Sequence, residues 1–117
     1  KITAENERLK GNEFVKSKDF KEAVESYTKS IELDSTVAFT YANRAMAYLK
    51  LKEYKKVIDD ANTALTLKPD YLKANHRRGK AYVALGMFEE AIADFQEILE
   101  KEPDNRDVNR DLMDARH

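Results

Sequence analysis

Arg8 and Asn12 lie four residues apart, as do Lys73 and Arg77, and Asn43 falls midway along the chain between the two pairs. On a helix that spacing puts both members of a pair on one face. Lysine supplies a point charge, arginine a planar fork of donors, and asparagine a neutral donor. Such a set suits the gripping of two carboxylates. A cationic pair on a helix is ordinarily a solvated face. Here, however, Tyr71–Leu85 carries Lys73, Arg77, Arg78 and Lys80 without a single acid, and Val37–Leu51 carries Arg44 and Lys50, again without one. Phe88–Asp104 holds Glu89, Glu90, Asp94, Glu97, Glu100, Glu102 and Asp104 against Lys101 alone, and these acids read as a solvated back face. If the acid-free stretches line one groove, a chain of formal net charge −1 can still present a focused positive cleft that steers an anionic ligand.

The elements that must position these side chains come from a repeat of 34 residues. Gly11, Ala45 and Gly79 share one column, and Phe14, Tyr48 and Tyr82 another. Phe20, Tyr54 and Phe88, then Ala23, Val57 and Ala91, then Tyr27, Ala61 and Phe95 complete the set. A repeat of this length is one helix–turn–helix unit, and three in series make an α-solenoid. The small column lets the two helices of a repeat approach closely, and the aromatic columns are expected to be core. First helices are expected near Ala4–Lys16, Val37–Leu51 and Tyr71–Leu85, and second helices near Phe20–Leu33, Tyr54–Leu67 and Phe88–Lys101. Asp34-Ser35, Pro69-Asp70, Gly86 and Pro103-Asp104 break them. A last amphipathic helix, Asp104–Arg116, has Val108 and Leu112 on one edge and suits the end of a stack. The repeats then span about 4–37, 38–71 and 72–105, within one domain covering 1–117, and the cap about 104–116. Its almost wholly charged outer face predicts that the array ends there.

Composition narrows the class. Of 117 residues, 37% are charged and 42% hydrophobic, with three Gly and two Pro, the makeup of an all-helical protein with a thin core. A near-neutral balance argues against a nucleic-acid partner, and no apolar run is long enough for a membrane span. No Cys, no Ser-His-Asp arrangement and no phosphate-binding glycine loop is present, so no enzymatic activity is expected. His76 has only His117 for company, which excludes a histidine metal site; no cofactor is expected. The chain begins at Lys1 without a methionine and is expected to be a piece of a longer protein.

The order small residue, aromatic, aromatic, alanine, aromatic, proline resembles the tetratricopeptide repeat over the whole chain. That resemblance implies a right-handed superhelix whose first helices line a concave groove. Within the family, the stretches Arg8-Leu9-Lys10-Gly11-Asn12, Tyr41-Ala42-Asn43-Arg44 and Lys73-Ala74-Asn75-His76-Arg77-Arg78 resemble the carboxylate clamp of co-chaperone domains. Asn12, Asn43, Lys73 and Arg77 match it in identity, and Arg8 stands where the family usually has lysine. The resemblance implies a cytoplasmic, monomeric adaptor that binds the acidic Glu-Glu-Val-Asp tail of Hsp70, Hsp90 or both. Lys50 and Lys80 would meet upstream acids of the tail, Met46, Leu49 and Val83 would form an apolar shelf, and His76 would rim the groove. The alternative is a scaffold that recognises an internal peptide or helix, indifferent to a free C-terminus.

Overall fold

The computed structural model describes every residue from Lys1 to His117. It contains seven helices: α1 Ala4–Lys16, α2 Phe20–Leu33, α3 Ala38–Lys50, α4 Tyr54–Leu67, α5 Leu72–Ala84, α6 Phe88–Lys101 and α7 Arg106–Arg116. These are the expected elements, with ends moved by a residue or two. Val37, Tyr71 and Asn105 serve as N-caps rather than first-turn residues. Asn105 Oδ1 accepts from the Val108 amide at 3.1 Å, and Thr3 Oγ1 caps α1 by accepting from Asn6 at 3.1 Å.

The turn inside each repeat is the same device used three times. Lys18, Lys52 and Gly86 adopt φ of 63°, 61° and 75°. In the first turn, Lys18 N donates to Val15 O at 3.0 Å and Asp19 N to Phe14 O at 2.8 Å. Lys52 and Glu53, then Gly86 and Met87, repeat both bonds one and two periods later. Left-handed backbone at this position satisfies carbonyls that the ending helix leaves without partners.

Each first helix packs on its own second helix, and each second helix packs on the element that follows. In addition α1 meets α3 and α3 meets α5, whereas α2, α4 and α6 do not meet one another. A stack whose first helices touch and whose second helices splay is curved, with α1, α3 and α5 inside. The result is an elongated molecule of 48 × 24 × 22 Å.

The seam within each repeat explains the small column. A Cβ on Gly11 would stand 2.6 Å from Tyr27 Cε1, and one on Gly79 would stand 2.5 Å from Phe95 Cε1. Where the chain has Ala45 instead of glycine, the ring column holds Ala61. The thin core is lined by alanines with no exposure at 23, 42, 45, 47, 61, 64, 74, 81 and 91. One aromatic departs from expectation: Phe88 is 47% exposed. Its equivalents Phe20 and Tyr54 pack in clusters with Ala47 and Ala81, which belong to the next repeat's first helix. After the third repeat the next element is α7, and it leaves Phe88 uncovered.

Candidate carboxylate-binding site

The inner helices bring most of the sequence-derived set together. Asn12 Oδ1 accepts from the Tyr27 hydroxyl at 2.6 Å and from Asn43 Nδ2 at 3.2 Å. Arg77 Nη1 donates to the carbonyl of Ala42, next to Asn43, at 2.8 Å. Arg77 is half-buried, and desolvation pulls its guanidinium below the ordinary arginine value. Burial also pushes the Tyr27 phenol up to about 12, against the pull of Arg77 and Arg8. Those two pulls put both cations within electrostatic reach of the Tyr27 hydroxyl. Lys73 is exposed one turn before Arg77 and makes no hydrogen bond or ion pair.

Not every inner-helix cation faces the groove. Arg44 Nη2 pairs with Asp60 Oδ1 at 2.7 Å, its Nε donates to Oδ2 at 2.8 Å, and its Nη1 reaches Thr28 Oγ1 at 3.1 Å. One period on, Arg78 pairs with Asp94 at 2.6 Å and reaches Asn62 Oδ1 at 2.8 Å. Hydrogen bonds donated to the aspartates hold both guanidiniums more firmly charged than usual. The cleft is therefore less basic than a count of charges along α3 and α5 implies. Asp94, expected on a solvated back face, is 4% exposed and internal. The missed signal lay in the sequence, because residues 28/62, 44/78 and 60/94 are each one period apart.

Beside Arg77 lies a cavity of about 690 Å³ bordered by all six outlying groove candidates: Met46, Leu49, Lys50, His76, Lys80 and Val83. Its far wall is α7, through Asp111 and Asp114. His76 Nε2 sits 2.6 Å from Asp111 Oδ2, and Lys80 Nζ lies 3.6 Å from the same oxygen. Sequence reasoning gave Asp111 no role and read Tyr27 only as core. No group of acids, histidines or cysteines is arranged to hold a metal ion.

Models of the tetratricopeptide repeat match residues 9–36, 38–71 and 73–105. The chain belongs to the tetratricopeptide repeat family. Tetratricopeptide repeats are protein-interaction modules rather than enzymes. The first such domain of Spaghetti (RPAP3), solved bound to the HSP90 peptide SRMEEVD, is 36% identical with a TM-score of 0.94 over 97% of this chain and 90% of that one. The second domain of human RPAP3, in complex with the HSP70 peptide SGPTIEEVD, is 38% identical with a TM-score of 0.93 over 97% and 95%. Serine/threonine-protein phosphatase T of Saccharomyces cerevisiae is 53% identical over 38 residues, 32% of this chain and 7% of that protein. The chain spans about a tenth or less of the length of the curated relatives it matches. No helix is long and apolar enough to cross a membrane.

Proposed function

We propose that this tetratricopeptide domain captures the free acidic C-terminus of Hsp70- or Hsp90-type chaperones and acts as a cytosolic co-chaperone adaptor. Arg8, Asn12, Asn43, Lys73 and Arg77 hold the terminal carboxylate and the side chain of the last aspartate. The upstream residues of an extended tail run toward the cavity beside Met46, Leu49 and Val83. The observation that carries this reading is the contrast among inner-helix arginines. Arg44 and Arg78 are each neutralised by an aspartate, whereas Arg77 is half-buried, donates to the Ala42 carbonyl and has no acid to pair with. A desolvated cation without a counter-charge costs free energy that an incoming carboxylate recovers. The tails on the two RPAP3 domains end in EEVD and carry the required charge.

Calorimetric titration with a free-acid Glu-Glu-Val-Asp peptide beside its C-terminally amidated twin tests this. Binding is expected for the free acid and nearly none for the amide. A charge-assisted hydrogen bond is worth about 1.5–3 kcal/mol, so Lys73→Ala and Arg77→Ala should each weaken binding about 10–100-fold. Equal binding of both peptides, or unchanged affinity in both variants, would retire the clamp in favour of a scaffold reading internal motifs.

A further inference from the structure

We infer that Tyr27 is a positioning residue of this site: its hydroxyl, together with the Asn43 amide, holds the Asn12 oxygen and leaves the Asn12 NH2 for a ligand. The inference rests on the carboxylate-clamp reading above. An asparagine side chain presents either an acceptor oxygen or a donor NH2, and which one faces a ligand depends on what its two ends find nearby. At Asn12 the oxygen is held by two donors, Tyr27 Oη at 2.6 Å and Asn43 Nδ2 at 3.2 Å. Asn12 Nδ2 has no partner within the protein and is left to donate to a carboxylate. The opposite orientation would turn the Tyr27 hydroxyl into an acceptor, set the NH2 groups of Asn12 and Asn43 against each other, and offer an oxygen to an anion.

Packing does not account for the hydroxyl. Tyr27 and Phe95 occupy the same column, and each lies against a glycine, at 2.6 Å and 2.5 Å from the Cβ that Gly11 or Gly79 lacks. Phe95 does this with the ring alone. The hydroxyl is thus an addition found only in the first repeat, on the one seam that also carries Asn12. A phenol raised to about 12 remains a donor throughout the physiological range. Tyr27 is 1% exposed, so it acts on the ligand only through Asn12.

Tyr27→Phe should fold like the parent, because the third repeat already uses that ring. Titrating the free-acid tail peptide into the parent, Tyr27→Phe, Asn12→Ala and the double variant gives a closed cycle. Tyr27→Phe is expected to weaken binding about 3–10-fold in the parent, the worth of one hydrogen bond, and less than about 2-fold once Asn12 is alanine. The Asn12 side-chain amide signals in a nitrogen–proton spectrum are expected to shift in Tyr27→Phe even without peptide. An equal loss in both backgrounds, no loss in either, or unmoved Asn12 signals would overturn the role of Tyr27 while leaving the clamp standing. Failure of the parent to prefer the free acid over the amide would instead bring down the clamp, and this inference with it.

Discussion

At positions 18, 52 and 86 the backbone enters the left-handed region, with two lysines and then a glycine. A side chain there costs roughly 1–2 kcal/mol, because its Cβ crowds the following carbonyl. Glycine avoids that cost but loses more freedom on folding, which returns about 0.4–1 kcal/mol of the gain. The balance favours glycine, so Lys18→Gly and Lys52→Gly should each stabilise the domain by about 0.5–1 kcal/mol. The two turns are a full repeat apart, and their effects should add. Urea unfolding measures both, and a loss of stability in either variant would contradict the account. Gly86→Ala is the converse test: nothing lies within 4 Å of the added Cβ, so any cost is backbone alone. The left-handed turn was legible only at Gly86, where residue type announces it. Lys18 and Lys52 have no such signature, and only their period ties them to Gly86.

The helices themselves were legible almost end to end, because the same columns recur three times and four of the six breaks carry their own stop chemistry. What stayed hidden was the direction of individual side chains on them. Asn43 and Arg44 are adjacent in sequence, yet a step of one residue on a helix turns the side chain by about 100°. Asn43 meets Asn12 toward the groove, and Arg44 meets Asp60 across the seam to α4. Arg44 and Arg78 are staples, each tying its own repeat to the second helix of the repeat before. Asp60 is 5% exposed, and burial pushes its carboxyl above the ordinary range despite the opposing pull of Arg44. Removing the arginine strands that carboxylate. Arg44→Ala should therefore destabilise by about 3–5 kcal/mol, whereas Arg44→Met with Asp60→Leu should recover most of the loss. If both proteins unfold at the parent's urea midpoint, the pair carries no structural weight and the staple account fails.

Across the whole molecule, stability is passed from neighbour to neighbour. The second helices do not meet, and α7 touches only α5 and α6. A stack of this kind behaves as a nearly one-dimensional array in which damage at one end is felt first nearby. Leu112 of α7 is 8% exposed and belongs to the same cluster as Phe95, Ile98 and Val108. Leu112→Ala should cost about 2–5 kcal/mol, concentrated in the third repeat. Amides of α5, α6 and α7 should then exchange with solvent much faster, and those of α1 and α2 little faster than in the parent. Uniform acceleration from α1 to α7 would mean that the domain unfolds as one unit. The candidate site spans this gradient, with Arg8 and Asn12 on the protected end, Asn43 in the middle, and Lys73 and Arg77 on the helix that frays. A tail bridging α1, α3 and α5 binds only the assembled stack, so it stabilises in proportion to the logarithm of its concentration over Kd. Saturating free-acid peptide should accordingly restore slow exchange in α5 of Leu112→Ala, and the amidated peptide should not. Protection by both peptides alike would place the ligand elsewhere on the array.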